Sequence, residues 1–246
     1  MLSYSIEIFG NFEVRRQMYE RKIKRRRYRC PIPANAKLIV KERYEDGEKK
    51  WGYYYLKGTK VGYRYWCHLG NLQLEYGFKN GKKHGNELRF YDDGNLMCVE
   101  PYRHGKMHGV TKQWADDGRL LITYTLRKGV GMDLWCEDDG TLAENHYWPD
   151  EGEVGYMRFW NEDQKTIFME DLYTRGEEFA SIRRAWNHAG KLSRGFPQYF
   201  IGNKKVTKRQ YLLACKTEVA MPPYRAKDDN PKRKLPEEYL AQRTAK

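Results

Sequence analysis

Three groups of side chains in this chain have types and spacings that chemistry can use. His84 and His108 occupy the same place in two neighbouring segments, Gly81-Lys82-Lys83-His84-Gly85 and Gly105-Lys106-Met107-His108-Gly109, which raises the question of a shared metal. On strands, equivalent positions two strands apart lie about 10 Å from each other, too far for one ion bound at about 2 Å, so shaping or polarising the turn is the simpler role. The carboxylate pairs Asp92-Asp93, Asp116-Asp117 and Asp138-Asp139 each precede a glycine. They suit weak cation binding or a basic partner, and they equally suit turn chemistry, because Asp and Gly are favoured in tight turns for backbone reasons alone. The third group is cationic: between residues 15 and 29 nine basic side chains face one Glu, including Arg21, Lys22, Lys24, Arg25, Arg26, Arg27 and Arg29. Lys and Arg at this density contact phosphate, with Tyr19 and Tyr28 placed to stack on bases, or attach electrostatically to anionic lipid; a solvated arm is the alternative. No Gly-x-Ser-x-Gly elbow, His-Glu-x-x-His helix, phosphate-cradling loop or calcium loop occurs, and Gly129-Val130-Gly131 lacks the third glycine of a dinucleotide site. No catalytic residue, metal ligand or cofactor is expected.

The elements that carry these groups come from a repeat. From Gly81 the chain runs through Leu88 and Phe90 to Asp92-Asp93-Gly94, and from Gly105 through Trp114 to Asp116-Asp117-Gly118, without gaps. A third copy loses two residues before Gly131 and regains register at Asp138-Asp139-Gly140. Earlier and later copies keep Gly58, Gly62, Trp66 and Gly70, then Gly152, Gly155 and Trp160. The second glycines, at 62, 85, 109, 131 and 155, are 23, 24, 22 and 24 residues apart. A period of that length is too short for a helix pair and fits two strands of about six residues with two turns. Alternation agrees, since Leu88 and Phe90 share one face, as do Leu120, Ile122 and Tyr124. The expected fold is all-β: a single-layer antiparallel meander of stacked hairpins with a small helical C-terminal cap. Gly81, Gly85, Gly94, Gly105, Gly109, Gly118 and Gly140 define its turns.

On these residues the chain resembles MORN repeats, in particular the bacterial variant associated with antitoxins of toxin-antitoxin pairs, over about residues 44–190. The Gly-Lys-Lys-His-Gly and Gly-Lys-Met-His-Gly copies carry the resemblance most clearly. The outer copies depart from it: Gln164 stands where the final glycine belongs, and Trp186-Asn187-His188-Ala189-Gly190 keeps only a second half, so the count lies between five and seven. The resemblance implies a non-catalytic β-meander that binds protein partners or anionic lipid. It does not name the partner.

Charge divides the chain into the same parts. Residues 1–43 hold 12 basic and 4 acidic side chains, residues 44–190 hold 20 and 24, and residues 191–246 hold 14 and 5. The ends are basic and the repeats are not, a distribution suited to arms that meet an acidic or phosphate-rich surface while the body meets something else. Tyr4 to Val14 reads as a hairpin around Gly10-Asn11. Gln198 to Val206 reads as another turning at Gly202-Asn203, followed by a helix to about Lys216 with Thr207 and Gln210 as a capping box, closing the open edge of the meander. Pro236, Glu237 and Glu238 begin one more helical turn. Low hydropathy fits a single layer covered by 20 Tyr, 9 Phe and 7 Trp. Five widely spaced cysteines indicate neither a disulfide framework nor a zinc site, and no apolar run approaches a membrane span, so an intracellular, cytoplasmic location is expected. The expected function is a protein-interaction scaffold, toxin neutralisation being one form of it; nucleic-acid or anionic-lipid binding through the basic ends is the alternative.

Overall fold

In the computed structural model of the chain, residues 27–174, 180–202, 204–217 and 221–243 are described. The expected N-terminal hairpin at Tyr4 to Val14 lies outside them. The fold is mostly antiparallel β, and sequence neighbours pair as hairpins within each of two sheets. Two compact units divide near Leu120.

The first unit contains β1 (Lys37–Arg43), β2 (Lys49–Leu56), β3 (Thr59–Trp66), β4 (Leu72–Lys79), β5 (Lys82–Lys83), β6 (Gly85–Phe90), β7 (Leu96–Arg103), β8 (Lys106–Met107) and β9 (Gly109–Trp114). The short pieces β5 and β8 are the ends of longer strands, interrupted at His84 and His108, and pair with β4 and β7. Leu88, Phe90, Leu96, Val99 and Trp114 form a buried core on one face of this sheet.

The second unit holds β10 (Leu120–Leu126) and then a seven-stranded sheet in strict chain order: β11 (Gly131–Cys136), β12 (Leu142–Trp148), β13 (Val154–Trp160), β14 (Ile167–Thr174), β15 (Ala180–Ala185), β16 (Gln198–Ile201) and β17 (Lys204–Val206). The meander is therefore two sheets rather than one continuous ribbon. Strands β10 and β11 are joined by the bridge Arg127↔Val130 and belong to different sheets. The break falls at the copy that is two residues short before Gly131.

Two turns alternate. One is a two-residue loop in which both central residues have positive φ, such as Asn80 (51°) and Gly81 (73°) or His104 (53°) and Gly105 (84°), the type I′ geometry whose twist matches a hairpin. The other is the acidic tip, where Gly94 N–H donates to Tyr91 O at 2.9 Å and Tyr91 N–H donates to Asn95 O at 2.9 Å. The same tip begins at Tyr44, Cys67, Tyr91, Ala115, Glu137 and Asn187 and, one residue longer with Asn161 N–H donating to Thr166 O, at Asn161, which resolves the count to seven tips among the described residues.

The C-terminal helix α1 (Lys208–Ala214) has the expected capping box: Thr207 Oγ1 accepts from Gln210 N–H, and Gln210 Oε1 accepts from Thr207 N–H at 2.9 Å. It lies on the sheet face rather than along the edge. Tyr211 is fully buried among Ala180, Ile182, Tyr199 and Met221, because the aromatic first turn gains more by covering that apolar face than by flanking the short strand β17. A second helix, α2 (Glu237–Arg243), follows Pro236 as the sequence suggests.

Candidate binding surfaces

Of the basic arm, Arg21, Lys22, Lys24, Arg25 and Arg26 lie outside the described residues, and Arg27 and Arg29 are exposed. Between them Tyr28 does not stand free to stack on bases. Its ring packs on Trp114 at 5.5 Å, and Cys30 and Tyr28 both cover the core of the first unit. The end of the arm is thus a strap, residues 28–33, laid across one face of the sheet.

Glycines make room for it. A Cβ at Gly62 would sit 2.5 Å from Ile32 Cδ1; at Gly77, 2.7 Å from Pro31 Cγ; at Gly85, 2.4 Å from the same atom. None of these distances is tolerable for a real Cβ, so the second glycine of the repeat is kept bare by the strap in the first unit. At Gly109 the intruding atom is Pro101 Cγ at 2.9 Å. The remaining repeat glycines serve the turns: Gly81 and Gly105 the two-residue loops, and Gly94, Gly118 and Gly140 the acidic tips, all with positive φ. Gln164 takes φ 52° in the position of the final glycine and holds both backbone groups of Leu142, donating to its O and accepting from its N–H at 3.0 Å each.

The second Asp of each acidic pair is occupied by turn bonding. Asp93, Asp117 and Asp139 each accept a hydrogen bond through Oδ1 from the backbone two residues on, at 2.7 to 2.8 Å. Asn71 and Asn95 donate across to the backbone oxygens of Asp92 and Asp116 at 2.7 Å, stitching one tip of the first unit to the next. The histidine that neighbours His84 is His104, with ring centroids 5.7 Å apart. Among the described residues no group of three His, Cys, Asp or Glu side chains is arranged to hold a metal ion.

The opposite face of the first sheet carries a row of half-buried rings. Alternation along strands sets this: Gly62 and Gly77 pair under the strap, so their neighbours Tyr63 and Tyr76, also a cross-strand pair, point the other way. Tyr63 stacks on Tyr76 at 4.9 Å, Tyr53 meets Tyr63 edge-on at 5.4 Å, and Trp51 and Phe78 extend the row at either end. Two ammonium groups lie over it, Lys60 Nζ 3.8 Å from the Tyr53 centroid and Lys83 Nζ 4.2 Å from that of Tyr76. Each ring keeps some surface in water, and among the described residues no segment crosses this face. Burial raises the Tyr76 hydroxyl to about 12, with neighbouring tyrosines adding to the effect, so it stays neutral at physiological pH.

In the second unit the C-terminal segment is the covering piece, and charge fastens it. Arg158, Glu170 and Arg184 stand side by side on β13, β14 and β15, with Glu170 and Arg184 essentially inaccessible. Glu170 accepts from Arg158 Nε at 2.9 Å and from Arg233 Nε and Nη2 at 3.0 and 2.9 Å. Arg184 Nε donates to Asp229 Oδ1 at 2.9 Å, and Trp186 Nε1 donates to Asp229 O at 2.7 Å. Burial pushes the Glu170 carboxyl up, but the Arg233 hydrogen bonds and the Arg233 and Arg158 charges outweigh it and hold it below its usual range. Further along, Gln242 bonds both backbone groups of Thr123, and Tyr239 OH donates to Gly140 O at 3.0 Å. A cleft of about 350 Å³ opens beside Arg158, Glu170, Arg225 and Arg233. Sequence reasoning missed Pro31, Ile32, Glu170, Arg184 and Arg233. Neither strap has periodicity, and only Arg184, placed between Ile182 and Trp186 on an apolar register, gives a local signal of an inward charge.

No family model matches this chain, and neither does any curated protein. No helix among the described residues is long and apolar enough to cross a membrane.

Proposed function

We propose that this protein is a non-catalytic interaction module whose partner is a protein that docks on the aromatic face of the first unit. One observation carries the reading: among the described residues the strap covers one face of that sheet, and Trp51, Tyr53, Tyr63, Tyr76 and Phe78 form a contiguous half-buried row on the other. Large rings with polar tips gain contact area at small entropic cost, and such rings dominate protein interfaces. Lys60 over Tyr53 places a positive charge at the rim, Lys83 being paired with Glu87, and favours a partner with an acidic counter-surface. Asp93, Asp117 and Asp139 are engaged in turns and Glu75, Glu87, Glu100 and Glu170 in ion pairs, which supports a binding role over acid-base chemistry. Neutralisation of a toxin is one role such a surface can serve, and the MORN-like pattern supports it.

The test is a pull-down of tagged full-length protein from its native cell, beside a variant carrying Tyr53→Ser and Tyr63→Ser. A stoichiometric protein retained at high salt by the original and lost from the variant supports the reading. A second reading, an anionic polymer or lipid held by the basic ends, is favoured by the exposure of Arg27 and Arg29 beside the strap. It predicts capture that salt abolishes and that the tyrosine changes leave intact.

A further inference from the structure

The two covering segments are fastened in different ways, and the difference has a functional meaning. In the second unit the C-terminal segment is tied by buried ion pairs and by backbone bonds, including Ile167 N–H to Pro231 O at 3.0 Å and Arg233 N–H to Lys165 O at 3.1 Å. In the first unit, among the described residues, the strap makes one hydrogen bond to the sheet, Asn86 Nδ2 to Arg29 O, long at 3.4 Å and exposed. Shape holds it instead: Ile32 over Gly62, Pro31 over Gly77 and Gly85, Tyr28 against Trp114. Slots without bonds distinguish side-chain shape and permit exchange, whereas a ladder or a buried ion pair must be broken and left unsatisfied. The groove is also wider than its occupant. A cleft of about 550 Å³ runs along the strap, bounded on the sheet side by Trp66, Leu72 and the pair Arg64 and Glu75, whose Nε and Oε2 lie 2.9 Å apart.

We infer that this groove is a peptide-binding site and that residues 28–33 are its internal ligand. Its external ligand is an extended segment of a partner protein with the same chemistry, an aromatic residue three positions before a proline and an aliphatic residue directly after it. The prolines fix the extended form before binding, so little chain entropy is lost when such a segment seats. Tethering by the three residues between Pro33 and Lys37 keeps the internal ligand at an effective concentration on the order of millimolar. The groove is therefore closed to weak peptides until the strap is lifted. This face is opposite the aromatic row, so the inference stands or falls separately from the docking reading above.

The experiment uses the full chain and a fluorescent peptide of residues 27–36, followed by anisotropy. In the variant Pro31→Asp with Ile32→Asp the strap cannot enter its slots, and a peptide that binds the emptied groove with a Kd of about 10 μM should bind about 100-fold more tightly than to the unaltered protein, the ratio set by a tether of about 1 mM. A peptide with Tyr28→Ala and Pro31→Gly should not bind. A folded variant that ignores the peptide, or equal binding by both proteins, overturns the inference. A second measurement covers the case in which the variant fails to fold. With a protease site inserted between Ala34 and Asn35, the cut protein should release its first 34 residues on dilution, keep its strand-rich circular dichroism and take the piece back on concentration. Loss of the strand signal as the piece leaves means that the strap is an inseparable part of the core, and the inference fails.

Discussion

Replacing Glu170 by Gln tests the account of how the second unit is held together. The carboxylate is essentially buried, accepts three hydrogen bonds from two arginines, and has Arg184 Nη1 at 3.5 Å. Gln preserves shape but removes the charge and points a donor amide at groups that are all donors. Arg158 and Arg233 then lose the carboxylate they share, and Arg184 keeps Asp229. At an effective dielectric of about 20, one lost contact near 4 Å is worth about 4 kcal/mol, and breaking one member of a buried pair costs about 3–5 kcal/mol in practice. The expected loss is about 3–5 kcal/mol, a large share of the roughly 5–15 kcal/mol that holds a folded domain. Urea unfolding followed by tryptophan emission reads it, since Trp186 sits on Asp229. The pH dependence gives an independent check. Because the folded carboxyl lies below its ordinary value of 4.5, its contribution is fully present above that value and disappears as pH falls through the lower folded value. Acidification from about pH 5 should therefore weaken the original protein by a component that Glu170→Gln lacks. A Glu170→Gln protein within about 1 kcal/mol of the original refutes the reasoning.

Three further perturbations address the other contacts. Gly62→Val introduces no backbone strain but drives a Cβ into Ile32, so it should lift the strap at a cost of about 1–3 kcal/mol; burial keeps the Cys30 thiol at about 12, and its slow reaction with a disulfide reagent should become fast. Thr207→Ala removes the side-chain cap of α1 and should cost about 0.5–2 kcal/mol, visible as early loss of amide protection over residues 208–214 with the sheet intact. Tyr211→Phe keeps the ring that packs on Tyr199 but leaves the Pro222 carbonyl without its 2.9 Å donor, and a drop of about 1–3 kcal/mol in urea unfolding is expected; no change means that water reaches that carbonyl.

The sequence by itself determined the hairpins, because their signals are local. Glycine after Asp-Asp marks a turn that needs positive φ, period-2 alternation marks the strands, and Thr207 with Gln210 marks a helix start; each depends on residues within a few positions of one another. Even Gln164, out of place as a glycine substitute, kept its turn because its side chain bonds Leu142. Tertiary structure alone decided what covers the sheets and where the ladder breaks. Pro31 and Ile32 carry no periodic mark, and their slots are glycines some 30 to 54 residues further along the chain. Glu170 and Arg233 are 63 residues apart. A single-layer sheet has two faces of similar composition, and the chain's own alternation cannot say which will be covered. That choice rests on long-range fit between bare glycines and bulky strap residues, and between buried charges of opposite sign. Among the described residues the same fit covers the face opposite the aromatic row, and that row is the surface through which this protein meets its partner in the reading proposed above.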